Sequence, residues 1–187
     1  MKKIIFAFIF VLALGFIFWG MADEPIKIQN SGDWKWSMPF GKNYDYSNVL
    51  VERAVDGDTL KLETGERVRL IGIDTPEMHD SKKLYKDSQR SGQDVTTIQK
   101  LGRRSYEFTK QLVEGKRVSL EFDVEKYDKY DRLLAYVYLK DSKVFVNAEI
   151  VKEGYASLMT YPPNVKYAAL FRKLYQEARE NRLGLWK

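Results

Sequence analysis

The chain has 187 residues, 31 Lys and Arg against 26 Asp and Glu, 44% hydrophobic residues and no cysteine, a composition that suits one globular domain and excludes disordered, collagen-like and multi-pass membrane architectures. Without cysteine there is no disulfide, no thiolate metal site and no thiol nucleophile; a single histidine, His79, removes every site that needs two imidazoles. What remains is oxygen chemistry from carboxylates and hydroxyls, with guanidinium and ammonium groups as cations.

Lys2 and Lys3 precede an apolar run from Ile4 to Trp19, which is followed by Gly20-Met21-Ala22 and then Asp23-Glu24. A charged start, an apolar stretch with no polar face and small residues at −3 and −1 of a cleavage after Ala22 are the marks of an export signal. The run exceeds the roughly 7–15 residues of a usual signal core, and about 16–19 helical residues nearly span a bilayer. Residues 1–22 therefore read as a signal peptide or an N-terminal membrane anchor, and either places the domain outside the cytoplasm, secreted or held at the membrane. Residues 23–47 form a polar linker dotted with Trp34, Trp36, Phe40, Tyr44 and Tyr46. The domain proper is residues 48–187, whose 26 basic and 22 acidic groups permit an anionic partner without identifying one.

From Asn48 the pattern becomes regular. Val49 to Val55, Thr59 to Glu63 and Arg67 to Ile73 read as three strands of a meander, with turns at Asp56-Gly57-Asp58 and Thr64-Gly65-Glu66. A long polar loop follows Asp74-Thr75-Pro76-Glu77 as far as about Thr96. Ile98, Leu101, Ser105, Phe108 and Leu112 then recur at helical spacing and stop at Gly115, which predicts a helix over about 97–114. Arg117 to Asp123 and Leu133 to Leu139 give two more strands, and Asn147 to Glu153 a short helix. Tyr161-Pro162-Pro163-Asn164 leads into a final helix with Ala168, Phe171, Leu174 and Ala178 on its apolar stripe and Asn164 as the expected N-cap. Five short strands with three interspersed helices predict an α+β domain built on a small OB-like β-barrel.

The chemistry gathers at strand ends. Asp56 and Asp58 flank the first turn, and Asp74 and Glu77 follow the third strand, so the meander can bring these ends together. Converging carboxylates either bind a hard cation or supply a general base. Asp58, Asp74 and the Thr75 carbonyl form an incomplete oxygen set that leaves room for substrate. Taken singly, each element has a plainer explanation: Asp-Gly is a common hairpin turn, Asp-Thr-Pro caps turns, Arg69 can be an exposed face residue, and Arg132 beside Asp128 can be a surface ion pair.

Together, Asp-Gly-Asp-Thr at 56–59, Arg-Leu-Ile-Gly-Ile-Asp-Thr-Pro-Glu at 69–77 and Asp-Lys-Tyr-Asp-Arg-Leu-Leu-Ala-Tyr at 128–136 resemble the staphylococcal nuclease (thermonuclease) family, as do Tyr-Pro-Pro-Asn at 161–164 and Gly-Leu-Trp at 184–186. The resemblance covers about residues 48–187. It implies a staphylococcal nuclease-like fold and a Ca²⁺-dependent, monomeric hydrolase that cleaves DNA and RNA without sequence preference and leaves 3′-phosphate ends. By matched position it assigns Asp58, Asp74 and the Thr75 carbonyl to the metal, Asp56 to an acidic position beside it, Glu77 to the general base, and Arg69 and Arg132 to the phosphate. Lys129, Tyr130 and Tyr161 fall near the bound nucleotide.

One departure is Met159, which stands where the family often has the first of two pocket tyrosines. The basic run Lys82, Lys83, Lys86 and Arg90 reads either as a steering surface for a polyanion or as a solvated loop, and His79 as a solvated loop residue. Two other functions are carried: an OB-type nucleic-acid binding module without catalysis, which would not need Glu77, and a Ca²⁺-stabilised surface protein without hydrolytic activity.

Overall fold

The computed structural model describes residues 44–187. Five strands close a barrel in the order β1-β2-β3-β6-β5, formed by β1 (Val49–Asp56), β2 (Thr59–Leu62), β3 (Arg67–Leu70), β5 (Arg117–Glu121) and β6 (Leu133–Leu139). All neighbours pair antiparallel except β3 and β6, which run parallel with Arg69 opposite Leu134. Two register shifts in β1, between Val51 and Arg53 and between Ala54 and Asp56, bend that strand, as closure of so small a barrel requires. Alternating residues fill the interior: Val51, Leu60, Leu62, Val68, Leu70, Val118, Leu133, Ala135 and Val137 are all essentially inaccessible.

Four helices surround the barrel: α1 (Lys82–Ser91), α2 (Val95–Val113), α3 (Val146–Lys152) and α4 (Ala168–Glu180). This is one more than the periodicity gives. The extra helix is α1, which lies in the stretch read as polar loop. Only Leu84 of its ten residues is buried, so it carries almost no apolar stripe to detect. Its ends are fixed instead by local bonds: the Ser81 hydroxyl accepts from the Leu84 N–H at 3.1 Å, and Gly92, at φ 70°, closes the last turn. The helix predicted over about 97–114 is α2, which starts two residues earlier under an Asp94 cap that accepts from Thr97 N–H at 2.9 Å.

The strand predicted over 67–73 is broken. β3 ends at Leu70 and a separate β4 (Gly72–Asp74) pairs antiparallel with β7 (Ser157–Met159), a strand absent from the sequence prediction. Gly72, at φ 84°, makes the break, and a Cβ there would meet the Phe171 ring at 2.5 Å. The chain thereby leaves the barrel and carries Asp74 and its successors outward. Asn164 does not cap α4, whose N-cap is Tyr167. It is buried and bonds the Glu125 backbone in both directions, accepting from N–H at 2.8 Å and donating to C=O at 2.9 Å. Tyr44 and Tyr46, assigned to the linker, dock on the domain: the Tyr46 ring packs edge-on against Phe122, and its hydroxyl donates to Glu66 at 2.7 Å.

Asn147 on α3 joins these parts. Its Oδ1 accepts from the Val137 N–H at 3.0 Å, and its Nδ2 donates to the Ile71 carbonyl at 3.0 Å and the Ala135 carbonyl at 3.4 Å. The residue is fully buried and sits beside the point where β3 gives way to β4. Asn147→Leu keeps the volume but leaves the Val137 donor without its acceptor, and urea titration should show a loss of about 2–4 kcal/mol.

Candidate active site

A cleft of about 690 Å³ opens at the end of the barrel where β3 passes into β4. Asp56, Asp58, Arg69, Asp74, Thr75, Glu77, Lys129, Tyr130, Arg132, Met159 and Tyr161 all line it, so every site residue assigned from the sequence reaches one concavity.

The hairpin between β1 and β2 supplies the two aspartates. Asp56 Oδ1 accepts from the Asp58 N–H at 3.0 Å, which fixes the turn. Asp58 is buried; its Oδ2 accepts from the Thr75 N–H at 2.9 Å and from the Thr75 hydroxyl at 3.2 Å, so the turn and the exit of β4 are tied together. Helix α2 braces both. Its Thr109 hydroxyl donates to the Gly57 carbonyl at 2.7 Å, and at Gly102 the helix backbone approaches so closely that a Cβ would lie 2.6 Å from the Pro76 carbonyl oxygen. Only glycine lets the helix seat the segment that carries Glu77.

Arg69 is no exposed face residue. Its side chain is 14% exposed, and the guanidinium pairs with Asp58 and, at 2.9 Å, with Asp74. Burial pushes Arg69 below its ordinary value, while Asp74 and Asp56 oppose the change; a guanidinium remains charged through such shifts. Burial likewise raises the Asp56 carboxyl against the pull of Arg69 and Arg132. Arg132 also weighs on Arg69 through like charge, so the two guanidiniums share one electrostatic neighbourhood. Arg132 is held by Asp128, whose Oδ2 accepts from Nε and Nη2 at 2.7 Å each.

The residue missed as part of the site is Lys83. Its ammonium lies 3.2 Å from Asp74 Oδ1, 3.0 Å from Glu77 Oε1 and 3.3 Å from the Thr75 carbonyl oxygen. Burial works against its charge, but Asp74 and Glu77 outweigh it and the pKa is raised. Glu77 also accepts weakly from the Ser81 hydroxyl at 3.4 Å. His79 is exposed at the cleft edge. Met159 Sδ lies 3.9 Å from Arg69 Nη2 and lines the cleft as an apolar wall.

Residues 67–187 match the family model described as staphylococcal nuclease homologue. The chain belongs to this family. A thermonuclease of Staphylococcus intermedius is 39% identical over 143 residues, which cover 75% of this chain and 76% of that protein. Endonuclease YncB of Bacillus subtilis is 37% identical over 163 residues, 84% of this chain and 70% of that protein, and an uncharacterised protein of Methanocaldococcus jannaschii is 35% identical over 157 residues, 79% and 75% of the two chains.

Among the described residues no three His, Cys, Asp or Glu side chains gather as a ligand group. Asp58, Asp74 and the Thr75 carbonyl are all oxygen donors, the kind that a hard cation takes, and are the groups here that could hold one.

The Asp128–Arg132 pair yields a pH prediction. Burial raises Asp128, but bonds from the Arg132 N–H and guanidinium and the Tyr130 N–H outweigh it, and the pKa is lowered. A carboxyl lowered by folding stabilises above its unfolded value of about 3.9, and that stabilisation fades as pH falls through the folded value. Asp128→Asn should therefore melt below wild type at pH 7, and the gap should close as the pH is taken below about 3.9.

Proposed function

We propose that this chain is a Ca²⁺-dependent, sequence-nonspecific nuclease that hydrolyses phosphodiester bonds of DNA and RNA and leaves 3′-phosphate ends. Membership in a nuclease family makes it a phosphodiester hydrolase; the finer reading rests on one observation, the convergence of Glu77, Arg69 and Arg132 with Asp58 and Asp74 on a single cleft.

Each side chain has a role its chemistry suits. Glu77 is the carboxylate that would take a proton from water attacking phosphorus in line with the departing 5′-oxygen. Arg69 and Arg132 present planar forks to the phosphate oxygens, where charge grows during attack, and they keep their charge at working pH. Asp58, Asp74 and the Thr75 carbonyl would hold Ca²⁺, which would supply further positive charge at the phosphate. Asp56, half-buried in the same cleft, would add negative charge that favours a cation. Tyr130 and Tyr161 are 68% and 70% exposed on the cleft rim, with the Lys129 ammonium 5.0 Å from the Tyr130 ring centroid. This is an arrangement for stacking bases and holding backbone charge. No histidine and no covalent enzyme intermediate is required.

Export belongs to the same proposal. The Lys2-Lys3 start and the apolar run support it, although residues 1–43 lie outside those described; among the described residues no helix is long and apolar enough to cross a membrane. Outside the cytoplasm Ca²⁺ is plentiful and the host chromosome is out of reach.

Two experiments test the reading. Incubated with labelled plasmid, single-stranded DNA and RNA, the full chain should cleave all three with Ca²⁺ and none in chelator, with Mg²⁺ a poor substitute because it demands tight octahedral geometry. Full cleavage by metal-free protein would remove the metal from the mechanism. Glu77→Gln should lower turnover on the order of 10²-fold or more with little change in nucleotide affinity, and Arg69→Lys and Arg132→Lys should also slow turnover. Wild-type rates in all three variants would favour the non-catalytic binding module.

A further inference from the structure

We propose that Lys83 is a built-in competitor for the cation site, an ammonium that rests on the metal's own oxygen donors and must move toward Asp87 before a divalent ion can bind. The inference rests on the Ca²⁺ reading above and concerns what sets the affinity of that site.

Three of the oxygens around Lys83 Nζ are those the function needs: Asp74 Oδ1 at 3.2 Å, the Thr75 carbonyl at 3.3 Å and Glu77 Oε1 at 3.0 Å. An ammonium is a compact cation with no fixed fork, so it can rest on a ligand set much as a metal ion would. A divalent ion and the ammonium cannot share Asp74 and the Thr75 carbonyl without close like-charge contact.

Of the two cations on Asp74, Lys83 is the one able to leave. Arg69 is 14% exposed, grips both Asp58 and Asp74, and projects from a barrel strand. Lys83 is 35% exposed and extends from the surface helix α1 on a flexible stem. A second seat is already near: Asp87 Oδ2, one turn along the same helix, lies 3.9 Å from Nζ. Acidic and basic residues four apart on a helix face one another, so a shift within α1 exchanges one set of acceptors for the other. The same shift frees Glu77, which as a general base must not be occupied by an ammonium.

The competition makes a prediction of opposite sign at the two ends of the move. Calorimetric titration of the full chain with CaCl₂, without nucleic acid, should show tighter binding in Lys83→Met by on the order of tenfold, and weaker binding in Asp87→Asn by about two- to threefold, since the seat for the displaced ammonium is gone. In the double variant the Asp87→Asn effect should vanish, because with no ammonium to receive, Asp87 has nothing to do. Lys82→Met, a neighbouring exposed lysine, should change binding much less than Lys83→Met, which separates contact from general charge. Without metal, Lys83→Met should melt below wild type, and saturating Ca²⁺ should raise its melting temperature more than that of wild type.

Equal Ca²⁺ dissociation constants in wild type and Lys83→Met, or an Asp87→Asn effect undiminished in the double variant, would overturn the proposal and leave the Ca²⁺ reading standing. Absence of Ca²⁺ binding to wild type and Lys83→Met alike, with cleavage surviving chelation, would overturn the Ca²⁺ reading and the proposal with it. If Lys83→Met proves poorly folded by circular dichroism, the Asp87→Asn arm, which keeps Lys83, still tests the proposal: a Ca²⁺ dissociation constant equal to that of wild type would overturn it.

Discussion

The structure turns on the guanidinium of Arg69 set between Asp58 and Asp74. The three residues come from β3, from the hairpin into β2 and from the end of β4, so one cation joins three of the segments that line the cleft. Two carboxylates so little exposed would repel each other and lose hydration if left alone; with Arg69 between them they hold position. Arg69 is also well placed to meet an anionic phosphate in the same cleft. The group that holds the two aspartates together is the one the proposed chemistry uses.

That arrangement depends on what lies behind it. Helix α2 reaches the turn through Thr109 and the Glu77 segment through Gly102, and its Ser105 hydroxyl donates to the Tyr155 carbonyl at 2.7 Å just before β7. Strand β7 in turn pairs with β4, and the Ser157 hydroxyl donates to the Asp74 carbonyl at 3.1 Å. A single long helix thus holds, from behind, the turn, the loop and the strand pair that carry the acidic residues. Placement to within tenths of an ångström is what both phosphate positioning and base catalysis require, and loops alone would not supply it.

Much of this was legible in the sequence, because the β-branched segment 49–55, the continuous apolar run 133–139 and the Asp-Gly turn are local signals that tertiary contacts did not override. The convergence of Asp58 and Asp74 was legible from meander topology and from the matched motifs. What escaped had no local signature. α1 buries one apolar side chain and is fixed by its caps, so periodicity is silent there. The break at Gly72 reflects the close approach of Phe171, a residue about a hundred positions away. Asn164 looked like a cap because of its distance from α4, yet its amide is spent on Glu125. Lys83 stands in a run of basic residues that could equally face solvent; only the fold shows that its ammonium turns inward onto Asp74 and Glu77.

The central claim is that water, with its proton taken by Glu77, attacks phosphorus and expels the 5′-oxygen. Cleavage of an oligonucleotide in ¹⁸O-enriched water, followed by mass spectrometry of the fragments, tests it directly. The account predicts one ¹⁸O in the new terminal 3′-phosphate and none in the 5′-hydroxyl of the other fragment. Label in a new 5′-phosphate, with a 3′-hydroxyl on the partner fragment, would contradict it.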